Sequence, residues 1–448
     1  MYSLLFKQFS RTRTCMLGLL IIFTLGVISI IIGKHYLAEQ EKATAQVIEQ
    51  QLAHIERNVH LHYDDLGLLL YYLKFSLINE SSPLSGLSIG QRDVNPSVLS
   101  ASILTLEGQK YDTDLVNPTQ LLYGNLDLSF LLVYVFPLII IAFSYNLRSE
   151  EEEMGTWRLV SLLANSTQVF LLKKLSVRVI LLLSVMITLF LIATISLQIP
   201  WDTSFLLFVT ASLLYLLFWF ALSFWIVSFQ RNSDFNAISL LSIWLALVVL
   251  LPATINTLIT TQYPVPEALS TIIKQRDAYH QKWDTNKRAT MDKFYASYPQ
   301  FESYGYPTEE GFTWLWYYAM QHAGDAESRE ESASMRDKIL QRETISRNWA
   351  YVVPSMHTQL LFNELAGTHL SNHIDFLEYV QEFHERTRLF FYPRIFSERN
   401  AHEIDWTQFQ PETWNAARDI DWITILLPLV IAIVIFSGLA TINHWKSS

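Results

Sequence analysis

Six long apolar runs alternate with polar segments along the chain, and none of them contains Asp, Glu, Lys or Arg. The runs cover residues 16–33, 128–147, 179–200, 204–230, 235–266 and 422–445. An α-helix needs about 20 residues to cross about 30 Å of hydrocarbon. The pattern therefore predicts an all-α polytopic membrane protein with six transmembrane helices, at 15–33, 128–147, 179–199, 204–229, 235–260 and 422–443.

Two other kinds of segment can produce an apolar run. A single run could be a helix buried in a protein core, but such helices seldom stay uncharged for more than about 14 residues. The first run could be a signal peptide, because Lys7, Arg11 and Arg13 precede it. It is longer than a usual signal-peptide core and no cleavage pattern follows, so we expect a retained anchor. Residues 1–14 are predicted as a cytoplasmic interfacial helix, with a disordered basic tail as the alternative.

Two long polar segments, 34–127 and 263–420, interrupt the runs and are long enough to form a core together. We expect one mainly helical domain with minor β structure. Residues 34–77 read as one long stalk helix, because Ile48, Leu52, Ile55 and Val59 follow a helical period. Short strands are predicted at 98–106 and 110–115, and helices at 267–296 and 324–348 and from about 354 to His384, around an aromatic, turn-rich patch at 298–318.

Basic residues favour one orientation of the chain. If the N-terminus is cytoplasmic, both termini and the short segments on that side carry a dense set of cations, as the positive-inside rule requires. These are Lys7, Arg11, Arg13, Arg148, Arg158, Lys173, Lys174, Arg178, Arg231 and Lys446. We therefore expect a multi-pass protein of the bacterial cytoplasmic (inner) membrane with both termini inside and the large domain extracytoplasmic.

The amino-acid composition limits the classes of function that the chain can have. Charged residues make up 17% of the chain, against about 25% in an ordinary soluble protein. The net charge of −10 makes nucleic acid an unsuitable partner. Cys15 is the only cysteine, so the outer domain cannot be held by internal disulfides.

One predicted cytoplasmic loop, 148–178, has an unusual sequence. It carries the run Glu150, Glu151, Glu152 and Glu153, then Gly155 and Thr156, and then a short amphipathic segment with Trp157, Arg158 and Leu159. Taken from the residues alone, a glutamate run is as readily a solvated face as a binding surface.

The loop resembles the acidic-Gly-Thr signature and leucine-rich turn of ABC transporter permeases of the type-2 exporter class. The resemblance extends to the six-span layout, to residues 125–130 before the second span and to 136–138 within it. A subset of these permeases has a large extracytoplasmic insertion after the first span and another before the last. Its recurrent features are similar to residues 88–93 with Pro96, 353–355, 365–368 and the segment 373–383.

The resemblance implies an exporter moving an unidentified substrate by alternating access. It implies that Glu150, Glu151, Glu152, Glu153, Gly155, Thr156, Trp157, Arg158 and Leu159 form the coupling helix that docks on an ATPase subunit. It further implies two copies of that ATPase, and a second permease that is identical or related. The resemblance also leaves open a partner protein that binds the extracytoplasmic domain.

The chain has no Gly-x4-Gly-Lys-Ser/Thr phosphate-binding motif. We therefore expect no enzyme activity and no cofactor in this chain, with ATP and Mg bound by the partner subunit. Metal binding is not predicted either. His369 and His373 share a helical face, but no Glu follows His369; His54, His60 and His62 near Asp64 and Asp65 are read as surface residues.

Two functions from other classes are alternatives to a transport function. A membrane-anchored sensor or assembly scaffold, whose outer domain binds a protein partner, is the main alternative, although a sensor needs fewer spans and a cytoplasmic output domain. An intramembrane hydrolase would need paired ionisable groups within spans or a nucleophile with its base. The substrate is not predicted, and an apolar path would suit an amphipathic one.

Overall fold

The structure is a computed structural model that describes residues 2–110, 125–164, 166–265, 283, 286–416 and 421–446. Most of the strand expected at 110–115 and most of the helix expected at 267–296 lie outside these residues. The end of that helix is seen as Lys287–Ser297.

Six helices are long and apolar enough to cross a membrane. They are Arg13–Leu61, Leu128–Glu153, Thr167–Leu197, Thr203–Val227, Ser233–Gln262 and Trp422–Asn443. Several begin where a polar side chain accepts a backbone N–H, as Ser166, Asp202 and Asn232 do. The predicted all-α polytopic fold with six spans is confirmed. A further helix, Tyr2–Ser10, precedes the first span.

Two spans widen into π-helical turns just before a proline. The turns are Leu131–Val135, before Pro137, and Ala246–Leu250, before Pro252. A proline has no N–H to offer the carbonyl one turn earlier, so the helix must rearrange there. The carbonyl that Pro137 leaves open, on Val133, accepts the Tyr215 hydroxyl at 3.0 Å. The π-turn of the second span is thus hydrogen-bonded to the fourth.

The fourth span, Thr203–Val227, forms the centre of the helix bundle. Most of its side chains are buried, among them Tyr215, Phe218 and Trp219. It packs most extensively against the last span, which nevertheless leaves much of its own surface exposed, as the fifth span does. The exposed apolar faces of these two spans are suited to lipid or to other membrane helices.

The two long polar segments join in one three-stranded sheet. Strand β1 (Phe75–Asn79) pairs with β2 (Val98–Ala101) antiparallel and with β3 (Glu412–Trp414) parallel. Leu77 lies opposite Leu99 on one side and Glu412 on the other. Residues more than 300 positions apart in sequence therefore belong to one domain.

Helices surround this sheet. They are Leu66–Tyr72, Glu107–Lys110, Lys287–Ser297, Trp314–Ala350 and Leu370–Phe396, with 3-10 turns at Pro299–Tyr304, Ala401–Glu403 and Trp406–Gln408. Their core is rich in aromatic side chains such as Phe294, Tyr318 and Phe391. The helix Pro354–Ala366 and the 3-10 turn Pro83–Gly86 bury their apolar side chains against the membrane helices instead. Trp314 to Tyr318, expected in a turn-rich patch, instead form the first turns of the long helix Trp314–Ala350.

Two further sequence predictions for the domain were wrong. The stalk helix ends at Leu61, because Asp65 accepts the N–H of Leu68 at 2.9 Å and starts a new helix there. The strand expected at 98–106 ends at Ala101. Beyond Ala101 the chain turns away from the sheet, and the Leu106 N–H donates to Asp325 at 2.7 Å.

Candidate functional site

The segment Ser149–Leu163, called here the acidic hairpin, joins the second and third spans at the end of the bundle opposite the large domain. It consists of the helix Ser149–Glu153, a turn and the helix Trp157–Leu163. Gly155 lies in the turn at φ +73°, a backbone conformation that favours glycine. The predicted coupling residues therefore all lie in one compact unit.

A buried lysine fixes the base of the hairpin. Lys174, in the third span, lies 3.0 Å from Glu150 and 2.9 Å from Glu151. Glu151 also accepts the Thr156 hydroxyl at 2.5 Å, which ties the two short helices together across the turn. Ion pairs held this far from water are specific in geometry, and removing one partner exposes the other to a large desolvation cost.

The remaining acidic residues of the hairpin are also tied to the protein. Glu152 accepts from Arg148 at 2.8 Å, and the same guanidinium lies 4.7 Å from the centre of the Trp157 ring. The Ser233 amide donates to Glu153 at 3.4 Å. The hairpin is thus linked to the fifth span as well as to the second and third.

Arg178 extends this network into the bundle. Its side chain is only 1% exposed and donates to the carbonyl oxygen of Phe143 and, at 3.3 Å, to Asn146. It lies 3.6 Å from Glu150, and the ring of Phe9 covers it at 4.7 Å. The N-terminal helix is therefore part of the assembly that holds the hairpin.

The exposed surface of the hairpin carries large apolar side chains as well as the exposed Glu152 and Glu153. Leu162 and Leu163 are 83% and 81% exposed, and Met154 and Leu159 are also well exposed. An open groove of about 700 Å³ runs beside them, between the hairpin and the start of the third span. Arg158 is exposed on the same helix. The interpretation of the glutamate run as a solvated face is wrong for Glu150 and Glu151, which are paired internally.

Sequence reasoning did not identify the residues that fix the hairpin. The sequence marks Lys174 and Arg178 only as cations at the start of a span, and it gives no signal for Ser233. Their distance of more than 20 residues from their partners leaves no local signal. The only indication was that cations are costly in a span unless they are paired.

A second constellation lies where the large domain meets the spans. The motif at 88–93 and the motif at 365–368, distant in sequence, are in contact: the Gln91 amide donates to Thr368 O at 3.0 Å, and Ser88 donates to Asn363 at 2.8 Å. Gly90 has φ +56°, and an added Cβ would lie 2.5 Å from the Thr368 hydroxyl. The glycine is needed for both the turn and the close approach.

The helix Pro354–Ala366, called here the junction helix, contacts three spans. Ser355 donates to Leu247 O at 2.5 Å, in the π-turn of the fifth span. The His357 imidazole lies 2.7 Å from Ile425 O, in the last span just before Pro428. Phe362 stacks on Phe208 of the fourth span with ring centres 4.1 Å apart. The domain is therefore attached near the prolines of the fifth and last spans, and to the fourth span through Phe208.

Asp127 marks the start of the second span in this junction. It accepts from the Ile89 amide at 2.8 Å, from the Phe130 amide at 2.8 Å and from the Ser129 hydroxyl at 2.7 Å. Burial raises the pKa of its carboxyl to about 6, although these hydrogen bonds oppose the rise.

Among the described residues, no three His, Cys, Asp or Glu side chains are grouped so that they could hold a metal ion. His369 is the N-cap of the helix Leu370–Phe396, and His373 lies in the first turn of that helix. Burial lowers the pKa of both imidazoles, that of His373 to about 4, so both are neutral at pH 7. His54 contacts Asn58 on the stalk.

Comparison with known proteins gives one partial similarity. A family model described as Domain of unknown function (DUF3526) matches residues 269–414, less than half of the chain. No curated protein and no solved structure matches. The similarity is therefore confined to the second polar segment, which supplies the junction helix and most of the large domain's helices.

Proposed function

We propose that this chain is the membrane-spanning permease subunit of an ATP-driven ABC transporter, with export as its direction. The observation that supports the proposal best is the acidic hairpin. It presents exposed leucines on a short helix whose base is clamped by ion pairs to the third span. Such a surface is suited to receiving force from a partner and passing it to membrane helices.

The route for that force is short. The hairpin is connected to the second span through its own chain, to the third through Lys174 and to the fifth through Ser233. At the other end of the bundle, the junction helix contacts the fourth, fifth and last spans. A displacement of the hairpin would therefore reach the large domain through packed helices, as alternating access requires.

In this proposal the chain itself hydrolyses nothing. Two copies of an ATPase subunit would bind ATP and Mg, and a second permease, identical or related, would complete the transport path. The protein would lie in the bacterial cytoplasmic membrane with its termini and hairpin inside and the large domain outside. The exposed fifth and last spans leave surface for the second permease.

The test is co-purification from native membranes. Tagged wild-type chain should retain a nucleotide-hydrolysing subunit in mild detergent and show ATPase activity. The variant Leu162→Asp with Leu163→Asp should lose both, because two carboxylates cannot be buried in an apolar cleft without a large desolvation cost.

The matched control is Val352→Asp, an equally exposed apolar position beside the junction helix. It should retain the ATPase subunit. If the wild-type chain carries no nucleotide-hydrolysing partner, or if the hairpin variant keeps it undiminished, the proposal is wrong.

A further inference from the structure

A cleft of about 220 Å³ lies where the large domain meets the last span. The end of the helix Trp314–Ala350, one face of the junction helix and the first turn of the last span enclose it. Its volume is below the roughly 300–1,000 Å³ of pockets that hold whole drug-sized ligands. The cleft therefore has room for the polar headgroup of an amphiphile but not for its acyl chains.

The cleft lies at the edge of the bilayer. Asp421 accepts the Ile423 N–H at 3.2 Å at the start of the last span, and Thr424 in the first turn of that span lines the cleft. Val352, next in sequence to the lining residue Tyr351, is 75% exposed, and Ile423 is 55% exposed. Exposed apolar side chains at the end of a span are suited to lipid. An occupant of the cleft can therefore carry acyl chains that lie against the span.

The charged residues of the lining favour a cation. They are Arg347, Glu364 and Asp421, one cation and two carboxylates. The Arg347 guanidinium is already compensated, because it donates to Glu364 at 2.5 Å and to Glu343, behind the lining, at 2.9 Å. Burial lowers the pKa of the His357 imidazole below its ordinary 6.5, so His357 adds no charge at pH 7. The lining thus keeps one negative charge in excess.

Three hydrogen-bond acceptors in the lining remain available. The Glu364 side chain is 35% exposed, and only its Oε2 accepts from Arg347. Asp421 is exposed. His357 is 8% exposed, and its Nε2 lies 2.7 Å from the carbonyl oxygen of Ile425, which can only accept. The proton of the neutral ring is therefore on Nε2, and Nδ1 is an acceptor to which none of the described residues donates.

An aromatic ring adds a further preference for a cation. The ring centres of Tyr351 and His357 are 5.8 Å apart. A tyrosine face attracts cations through its ring quadrupole. A primary ammonium has three N–H donors for the three acceptors, whereas a trimethylammonium has none. We propose that the cleft binds the primary-ammonium headgroup of a phospholipid, with Glu364, Asp421 and His357 as acceptors and the acyl chains along the exposed face of the last span.

The test compares two lipids that differ only in the donors of the headgroup. The purified full-length chain in detergent is titrated with dioctanoyl phosphatidylethanolamine or with dioctanoyl phosphatidylcholine. The ethanolamine lipid should raise the thermal unfolding midpoint at about a tenfold lower concentration, because charged hydrogen bonds contribute to affinity at that level. Phosphoethanolamine without acyl chains should need a far higher concentration than the lipid.

Asp421→Asn tests the charge of the cleft. Asparagine is an equally good helix N-cap, so the start of the last span is kept while one carboxylate is removed. This variant should lose most of the preference for the ethanolamine lipid. Asp202→Asn is the matched control, because Asp202 is the exposed N-cap of the fourth span and lies outside the cleft lining. It should keep the preference.

A second pair of variants tests the position of the site. Thr424→Trp places a large side chain in the cleft at an exposed position and should abolish the preference, whereas Ile423→Trp, exposed but outside the lining, should keep it. The assignment is overturned if the choline lipid or phosphoethanolamine alone stabilises the wild type as well as the ethanolamine lipid does. It is also overturned if Thr424→Trp keeps the preference or if Asp421→Asn and Asp202→Asn behave alike. None of these outcomes depends on an ATPase partner.

Discussion

Lys174 Nζ lies 2.9 Å from Glu151 Oε1, and this contact ties the acidic hairpin to the third span. The same ammonium reaches Glu150 at 3.0 Å, so one side chain of the span holds two carboxylates of the hairpin. Glu150 and Glu151 therefore act as internal anchors, and the large apolar residues that face outward are the leucines that follow the glutamate run.

Replacing Lys174 should destabilise the hairpin. Lys174→Met leaves the buried Glu151 carboxylate without its cation, whereas Glu150 keeps Arg178 at 3.6 Å. Breaking a buried pair in this way costs about 3–5 kcal/mol. We expect a lower thermal unfolding midpoint by tryptophan fluorescence, together with faster proteolysis near Gly155. Lys173→Met is the matched control, because Lys173 makes no ion pair among the described residues. Equal midpoints for the two variants would contradict the anchoring role.

The first span and the domain approach each other at two glycines. A Cβ added to Gly33 would lie 1.8 Å from the carbonyl oxygen of Gly86, which is backbone and cannot move aside cheaply. We expect Gly33→Ala to destabilise the protein by about 1–3 kcal/mol, as overpacking does. Gly438→Ala, where a Cβ meets open space, should be neutral or stabilising. Thermal unfolding of both variants checks this, and a neutral Gly33→Ala would show that the two backbones are not in contact.

Asp325 and Arg388 form a buried ion pair in the large domain, 2.6 Å apart, and this pair should matter far more than an exposed one. Asp325→Asn leaves Arg388 buried without its counter-charge and should cost about 3–5 kcal/mol. Glu378→Gln removes the partner of Arg336 in a pair that is about half exposed, and should cost less than about 1 kcal/mol. Denaturant unfolding in detergent measures both. Similar losses would contradict the burial of the Asp325 pair.

The raised pKa of the Asp127 carboxyl predicts how the stability of the protein depends on pH. Burial raises the pKa of its carboxyl from an ordinary 3.8 to about 6, so the folded protein favours the protonated form. Its contribution to stability is complete below pH 3.8 and is lost as pH rises through about 6, by about 3 kcal/mol in all. The unfolding midpoint should fall over this range in wild type more steeply than in Asp127→Asn. Parallel slopes would refute the assignment.

The sequence predicted the membrane architecture well, because uncharged runs of about 20 residues are a strong and local signal. The position of the hairpin and the turn at Gly155 also followed from adjacent residues. The stalk and the strand at 98–106 were predicted too long. Asp65 ends the first by capping a new helix, and a contact to the distant Asp325 ends the second.

The ion pairs of the hairpin and the contacts of Asp325 could not be predicted, because the paired residues are distant in sequence. Lys174 is 23 residues from Glu151 in sequence. Asp325 is 219 residues from Leu106, whose amide donates to its carboxylate. Periodicity and composition carry no information on such contacts. The two motifs that meet at Gly90 and Thr368 were recognised individually, but their contact emerged only from the fold.

The most direct test of the central claim is photocrosslinking from the exposed face of the hairpin. In a Cys15→Ser background, which removes the only cysteine, Leu162→Cys carries a benzophenone label and is irradiated in native membranes. The account predicts a crosslinked product that contains a nucleotide-binding ATPase, and none from Val352→Cys at the opposite end of the bundle. If the label at residue 162 reaches lipid alone, or the same products form from both positions, the hairpin does not receive work from an ATPase.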